Sequence, residues 1–344
     1  MLKKDELEHS SFVIAEVGNN HQGKLETARE YIRVFATLGA DAIKFQTRNN
    51  KYLFSESGYA APYNGDNSFA STYGEHRELL ELKPEWLPIL KEDCEKFGAK
   101  FMSTPFDEPS LDLVNKAGVD LIKIASFDLG NLPFLKKIAA TGLPIVMSCG
   151  GGKAEHIRAS FEQLRAGTDQ IAILHCVSEY PCDHNRLGLN NLDILKAAFP
   201  ECVIGLSDHF TGILSGPVAY MKGARVFEKH VTLNRAWKGT DHGFSLEPEG
   251  FRKFIRDIKR VPEMMPPKPE EELGDEFVFK KLGKSLVALR DIKEGEKITV
   301  DDLTGRIYSN EGIPVRQSLN IIGRIATRHI VAGELIAYEA VEDR

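Results

Sequence analysis

Short aliphatic runs alternate with segments of helical period from Ser11 to Ile258, and nearly every run ends in a polar side chain. These two observations predict an α/β fold, and eight strand–helix units of this length fit a (β/α)8 TIM barrel. A third observation is the stretch Pro262–Glu272, with four prolines and a run of acids, after which short runs punctuated by Gly and Asp replace the earlier rhythm. It predicts a linker and then a small, mostly β domain. The expected boundaries are 1–262 for the barrel, 263–282 for the linker and 283–344 for the β domain. A doubly wound open sheet is the competing arrangement of the same units.

The first strand is Ser11–Val17, which runs into the turn formers Gly18-Asn-Asn-His-Gln-Gly23; Leu25–Leu38 then has helical spacing. The second strand, Ala42–Phe45, contains Lys44 and ends in Gln46. A polar and aromatic insertion follows, to about residue 82, containing Thr72-Tyr-Gly-Glu-His76. An insertion of that kind in a compact enzyme commonly forms a lid or a substrate wall. The pairs Pro84–Phe97 with Lys100–Ser103, Glu108–Ala117 with Leu121–Ala125, and Leu132–Ala140 with Pro144–Met147 each read as helix then strand. So do Lys153–Leu164 with Ile171–Leu174, Leu192–Ala198 with Val203–Leu206, and Gly212–Gly223 with Ala224–Phe227. Pro248–Ile258 supplies the last helix. In the tail, Ser285–Leu289, Lys297–Val300, Ile325–Thr327 and Leu335–Tyr338 read as short strands. Asp291-Ile-Lys-Glu-Gly-Glu and His329-Ile-Val-Ala-Gly-Glu resemble each other, a weak internal symmetry.

The chain has 344 residues, 42% of them hydrophobic, enough for a large core. A net charge of −6 gives no support to general nucleic-acid binding. The charged start, Met1-Leu-Lys-Lys-Asp-Glu-Leu-Glu-His9, lacks an apolar signal core, and no run is long and apolar enough to span a bilayer. Five cysteines, at 94, 149, 176, 182 and 202, form no CxxC pair. Reduced thiols in the cytoplasm are expected, with Cys176 and Cys182 buried at strand ends rather than ligating a metal.

The carboxyl ends of parallel strands share one face, where ligands bind. Glu16, Gln46, Thr104, Ser126, Ser148, Ser178, Ser207 and His230 stand at or just beyond those ends. Any one of them is explained as a turn or cap residue; their repetition describes a polar ring around a barrel mouth. Lys44 and Lys123 lie within strands, and an inward lysine needs an anion to offset its desolvation. That anion is a small phosphorylated acid, held with help from Ser126, Ser148 and the Gly-rich Ser148-Cys-Gly-Gly-Gly152, or else a barrel carboxylate such as Glu16 or Glu228. His209 and His230 end consecutive strands, with Glu16 on the next strand round, and are candidates to hold one divalent ion; structural histidines are the alternative. His21, His175 and Asp241-His242 are nearby, and His175 is expected to be packed or to support a ligand.

With these residues in view, the chain resembles the sialic acid synthase family. The matching segments are Glu16-Val-Gly-Asn-Asn-His-Gln-Gly23, Gly39-Ala-Asp-Ala-Ile-Lys-Phe-Gln46, Lys123-Ile-Ala-Ser126, His175-Cys-Val-Ser-Glu-Tyr-Pro181, Gly205-Leu-Ser-Asp-His209, Glu228-Lys-His230 and Lys238-Gly-Thr-Asp-His242. The tail, from Gly283-Lys-Ser-Leu-Val-Ala through Ile336, is similar to that family's antifreeze-like (SAF, β-clip) domain. Thr72–His76 and Trp237–His242 resemble N-acetylneuraminate-type members most. The resemblance implies condensation of phosphoenolpyruvate with an N-acetylmannosamine-type sugar to a nine-carbon 2-keto acid and phosphate. It implies Mn²⁺ or Mg²⁺ on His209 and His230, with phosphoenolpyruvate at Lys44, Thr104, Lys123, Ser126, Ser148, Ser178 and Ser207. It also implies sugar contacts from Gln46, Tyr180 and Asp241, and acid/base help from Glu16. A domain-swapped homodimer is implied too, in which Arg306 closes the partner's sugar site. The family's Arg-Pro-Gly pattern there reads Arg306-Ile-Tyr-Ser-Asn-Glu-Gly-Ile313 in this chain.

Competing expectations are a legionaminic or pseudaminic acid synthase acting on a diacetamido hexose, a related synthase making a seven- or eight-carbon keto acid, and a non-catalytic sugar-binding barrel. An ice- or surface-binding role for the tail rests on fold analogy alone.

Overall fold

The computed structural model describes residues 2–308 and 312–342. The chain forms two compact units, Met1–Met265 and Pro266–Arg344. In the first, eight strands follow one another: β1 (Phe12–Gly18), β2 (Ala42–Thr47), β3 (Lys100–Pro105), β4 (Leu121–Ile124), β5 (Ile145–Ser148), β6 (Ile171–Cys176), β7 (Val203–Asp208) and β8 (Val226–His230). Each pairs in parallel with the next, and β1 also pairs with β8, so the sheet closes into a barrel. That closure excludes the open doubly wound sheet. The helices after successive strands are α1 (Leu25–Thr37), α2 (Leu87–Lys96), α3 (Glu108–Lys116), α4 (Leu132–Ala139), α5 (Ala154–Arg165), α6 (Asn191–Ala198), α7 (Ser215–Met221) and α8 (Pro248–Met264).

The strands are aliphatic on both faces because both faces are covered. Outward residues such as Val13, Phe45, Phe101, Ile173 and Phe227 pack under helix residues such as Phe35, Leu90, Phe161, Phe251 and Phe254. Inward residues Ile14, Ala42, Met102, Leu121, Val146, Ala172, Leu174, Val203 and Val226 fill the lower barrel, joined by Phe12 and by Leu2 and Leu7 of the N-terminal segment. Each fully buried aliphatic of this kind contributes about 1.5–3 kcal/mol. Period-2 alternation then places polar side chains on the inner wall one step further along each strand. Gly205 is required in β7, since a Cβ there would lie 2.1 Å from the Val226 carbonyl oxygen. Among the described residues, no helix is long and apolar enough to cross a membrane.

Helix α8 runs past Pro262 to Met264, into the segment expected to be linker. Proline removes only one hydrogen bond in a last turn, and the buried stripe Phe254, Ile258, Val261 carries the helix on. Helical turns at Glu270–Glu272 and Phe277–Leu282 follow.

The second unit packs Leu286, Ala288, Ile292, Ile298, Ile313, Ile321, Ile330 and Ile336 around one small core. Its β9 (Ser285–Ala288) pairs antiparallel with β10 (Leu303–Arg306), a strand without alternation that sequence reasoning missed. The expected strands at 297–300, 325–327 and 335–338 form isolated bridges instead, Lys297 with Ile325 and Val287 with Leu335. Turns at Val300–Asp302 and Tyr338–Ala340 cut these runs too short for ladders. Residues 309–311, in the stretch from Arg306 to Ile313, lie outside the described residues.

Candidate active site at the barrel mouth

Strand register brings four charged side chains together just above the apolar filling. Glu16 stands opposite Lys44 on one side and His230 on the other. Lys44 Nζ is 2.7 Å from Glu16 Oε2 and 3.7 Å from Glu228 Oε1, and it donates to Thr104 Oγ1 at 3.0 Å. Lys123 Nζ is 3.4 Å from Glu228 Oε2. All four are almost wholly buried, so both lysines meet the barrel carboxylates anticipated as one of their two partners.

Burial raises the Glu16 carboxyl above the usual range, and the nearby Glu228 adds to that against the pull of Lys44. Burial acts on Glu228 too, but Lys123 and Lys44 outweigh it and hold that carboxyl low. The pair is therefore differentiated: Glu228 stays charged while Glu16 is the more readily protonated of the two. Burial also lowers the Lys123 ammonium.

Above this layer opens a cavity of about 620 Å³ lined by Glu16, Lys44, Gln46, Thr104, Lys123, Ser126, Ser148, Tyr180, Ser207, His209, His230 and Asp241, all anticipated from sequence. Ser178 is not in the lining but stands directly behind it. A Cβ on Gly150 would lie 2.4 Å from Ser178 Oγ and 3.0 Å from both Cys176 Sγ and Ser126 Oγ, so the loop after β5 tolerates only hydrogen there. Gly150 N donates to Ser126 Oγ at 2.8 Å. The buried hydroxyls of Ser148 and Ser178 have no hydrogen-bond partner among the described residues, which suits a wall waiting for an anion. Arg306 lies on the second unit, exposed at the end of β10.

The His209 and His230 rings are 5.3 Å apart, centre to centre. His209 Nδ1 lies 2.7 Å from the Val177 carbonyl oxygen; as donor there, it leaves a lone pair on Nε2, and the ring also contacts the Cys176 thiol. Burial pushes His230 down to about 4, so this imidazole is neutral near pH 7. Its Nδ1 is buried without a hydrogen-bond partner and lies 3.8 Å from Asp241 Oδ2. Tyr180 packs 4.0 Å from the His209 ring and Phe244 4.9 Å from the His230 ring. Two facing imidazoles, one of them with an orphaned ring nitrogen, fit a divalent ion. Among the described residues no group of three or more His, Cys, Asp or Glu is arranged to hold one, so water and substrate oxygens would complete its shell.

Several lining residues were not anticipated. Arg48, just past β2, pairs with Glu81 at 3.2 Å and lies 3.9 Å over the Phe106 ring. It also donates to Gln46 Oε1, while Gln46 Nε2 donates to Glu16 Oε1 at 2.7 Å. Arg77, Tyr73, Phe54 and Asn19 line the outer wall, and Cys176 lies deeper, at the end of β6. Arg48 follows Gln46 at a period of two, a signal the sequence did carry; Arg77 adjoins the noted Thr72–His76 motif but is placed only by the insertion's fold. That motif begins a short helix, with Thr72 Oγ1 accepting from Glu75 N, and buries His76 among Tyr63, Phe69 and Tyr73. His21, His175 and His242 are buried and outside the lining: His175 Nε2 lies 2.6 Å from the Leu187 carbonyl oxygen and His242 Nδ1 2.8 Å from Thr232 Oγ1. All five cysteines are free and buried.

Comparison with known proteins agrees with this geometry. Residues 31–268 match the NeuB family and residues 283–342 the SAF domain. The chain is 32% identical over 337 residues to the N-acetylneuraminate-9-phosphate synthase of Homo sapiens, covering 98% of this chain and 94% of that protein. It is 35% identical over 337 residues to the N,N'-diacetyllegionaminic acid synthase of Campylobacter jejuni, covering 95% and 98%. Among solved structures it is similar to the N-acetylneuraminic acid (sialic acid) synthetase of Leptospira borgpetersenii, with a TM-score of 0.67 and 31% identity over 77% of this chain and 90% of that one.

Proposed function

This chain belongs to the NeuB family of nonulosonic acid synthases and carries a SAF domain, and on that premise we propose that it condenses phosphoenolpyruvate with an N-acetylmannosamine-type sugar to give a sialic acid and phosphate. The observation that carries this reading is that two imidazoles with ring centres 5.3 Å apart share one cavity with the unpartnered hydroxyl of Ser148, the equally unpartnered Ser178 standing behind it. One end suits a carbonyl to be polarised, the other a phosphate.

Lys123, Ser126, Ser148, Ser178, Ser207, Thr104 and the glycine loop hold phosphoenolpyruvate, with Lys44 at the junction. Gln46, Tyr180 and Asp241 orient the open-chain sugar, and a near-attack geometry follows from fixing both partners in one cavity. A bound Mn²⁺ or Mg²⁺ at His209 and His230 would supply Lewis acidity at the sugar's carbonyl oxygen. The methylene carbon of phosphoenolpyruvate forms the new bond to the sugar's aldehyde carbon. Water then adds at the phosphate-bearing carbon and gives a proton to Glu16, whose carboxylate burial has made more basic than an ordinary one. The proton on Glu16 passes to the oxygen of the former aldehyde; the carbon–oxygen bond to phosphate then breaks as the hydroxyl left by water gives its proton to the departing phosphate, leaving the keto group, and the lysines offset the phosphate's charge.

The test is phosphate release from phosphoenolpyruvate with and without N-acetylmannosamine and with and without EDTA, with the product weighed by mass spectrometry. Release that depends on sugar and metal supports the reading; release indifferent to both sinks it. A 2,4-diacetamido hexose is the second reading for the acceptor, supported by the 35% identity to a legionaminic acid synthase. Under the same proposal the protein acts in the cytoplasm as a domain-swapped homodimer in which Arg306 reaches the partner's sugar site.

A further inference from the structure

Gln22 holds a backbone conformation that favours glycine. Its φ is +55°, and among the described residues it is the one non-glycine residue with positive φ. It stands in the turn after β1, where its N–H donates to the Asn19 carbonyl oxygen at 2.9 Å. That turn bond asks nothing of the side chain, and glycine would make it with less strain. A side chain in the left-handed region persists where its surroundings hold it there. Gln22 Nε2 donates to the Lys238 carbonyl oxygen at 2.6 Å and lies 3.4 Å from His242 Nε2. Thr232 Oγ1 donates to the Asn234 carbonyl oxygen at 3.1 Å and lies 2.8 Å from His242 Nδ1. His242 Nδ1 is therefore the donor to Thr232, and Nε2 of this neutral ring accepts from Gln22. Both protons of one amide go to the loop after β8.

A second amide from the same turn holds the base of that loop. Asn20, 2% exposed, donates through Nδ2 to the Val231 carbonyl oxygen at 2.8 Å and to Ser245 Oγ at 3.2 Å. Ser245 Oγ in turn donates to the Asp241 carbonyl oxygen at 2.5 Å. Asn20 thus joins the two ends of the loop, and Gln22 holds its middle. Asn67 of the insertion adds one bond there, accepting from Gly239 N at 3.0 Å. Residues 234–238 are exposed, so hydrogen bonds rather than apolar burial fix this part of the chain. Val231 follows His230 and His242 follows Asp241, so the two amides set how the imidazole and the carboxylate face each other, with Asp241 Oδ2 3.8 Å from His230 Nδ1. Asp241 lines the cavity and His242 stands behind it. Fixing the His242 ring therefore aims the neighbouring carboxylate inward.

Resting on the condensation proposed above, we propose that Gln22 is a positioning residue for the acceptor sugar, keeping a strained backbone so that its amide holds Asp241 where the carboxylate accepts from a sugar hydroxyl. Gln22 itself stands outside the cavity lining and acts through Asp241. Two consequences separate this role from a merely structural one. Relief of backbone strain offsets the two lost hydrogen bonds, so glycine at this position should leave the fold as stable as before while acceptor recognition suffers. The loss should fall on the sugar and spare phosphoenolpyruvate, whose proposed contacts stand on β2 to β7 or just beyond them, away from the residues that Gln22 bonds.

The experiment measures thermal midpoints, and kcat and KM for phosphoenolpyruvate and for the acceptor, with the full-length, Mn²⁺-loaded protein. The acceptor is N-acetylmannosamine or a 2,4-diacetamido hexose, whichever the wild type turns over faster. The variants are Gln22→Gly, Gln22→Asn, Asp241→Asn and the double variant Gln22→Gly with Asp241→Asn. Gln22→Gly is expected to raise KM for the sugar about tenfold, to keep KM for phosphoenolpyruvate within about twofold, and to melt within about 3 °C of the wild type. Gln22→Asn keeps an amide and tolerates positive φ, so it should recover part of the loss. Beside Asp241→Asn, the glycine change should alter kcat/KM for the sugar by less than about twofold, because its effect runs through that carboxylate. An unchanged sugar KM in Gln22→Gly overturns the positioning role, and so do equal rises in both KM values or a tenfold loss that persists beside Asp241→Asn. Wild-type sugar kinetics in Asp241→Asn overturn it too and leave the condensation standing. Absence of sugar-dependent phosphate release in the wild type overturns the condensation, and the positioning role with it.

Discussion

His209, His230 and Glu16 carry the proposed chemistry, and each can be tested by replacement. Replacing His209 or His230 by alanine should cut kcat by about a thousandfold, several kcal/mol, while the melting temperature changes little. Near-normal turnover with tight Mn²⁺ binding in either variant would remove the ion from the site proposed for it. As the proposed base, Glu16 works only when ionised, so the rate should fall as the pH drops through its raised value, with the acid limb lying above the ordinary carboxylate range. Glu16→Gln should be slow and should lack that limb; a limb that persists would assign it to another group. Lys44 and Lys123 cannot be judged by loss of activity alone, because removing either leaves a buried carboxylate uncompensated. A histidine outside the cavity lining makes a different prediction. Burial holds His21 down at about 3 against 6.5 for the free side chain. The unfolded chain thus binds the extra proton first, and this contribution to stability is complete above about pH 6.5 and drains away as the pH falls toward 3. Urea midpoints compared at pH 7.5 and pH 5 should show the drop, and His21→Gln should flatten it.

Elements deliver these side chains through contacts on the far side of the sheet. Asp208 and Lys229 flank His209 and His230 in sequence and point away from the barrel interior. Lys229 Nζ is 2.6 Å from Asp208 Oδ2, which also accepts from Ser215 Oγ at 2.5 Å, while Asp208 Oδ1 accepts from Phe210 N at 3.0 Å. Asp208→Asn should lower Mn²⁺ affinity about tenfold or more, the scale on which supporting residues act, and calorimetric titration checks it. Gly150→Ala should raise KM for phosphoenolpyruvate, since the added methyl collides with Ser178 Oγ, and a KM within twofold of wild type would free that loop of any anion-binding duty. Alternation and strand-end polarity made the barrel legible, because period two and period 3.6 are imposed by the backbone itself. The same logic reached Lys44, Lys123, His209 and His230. It missed Arg77 because the insertion has no period to read, and its position depends on the packing of His76 with Tyr63 and Phe69. The tail resisted for a related reason: its pairings are mostly single bridges, too short to write an alternating pattern.

At the scale of the whole molecule, the proposed dimer has a direct check. A His209→Ala chain keeps Arg306, and an Arg306→Ala chain keeps its imidazoles. If Arg306 completes a neighbour's site, mixing the two inactive proteins under exchange should restore about a quarter of wild-type activity, because half the dimers are mixed and each has one complete site. No recovery would confine Arg306 to its own chain or to no role. The closed sheet carries a further consequence, one that concerns synthesis. Strand β1 is hydrogen-bonded to β8 from Phe12 to Glu16, yet β8 ends at His230. A nascent chain leaving the ribosome therefore holds an unpaired, aliphatic edge until more than two hundred residues have been translated. Ribosome-bound fragments that stop short of Val226 should bind chaperones, and release should coincide with emergence of the eighth strand.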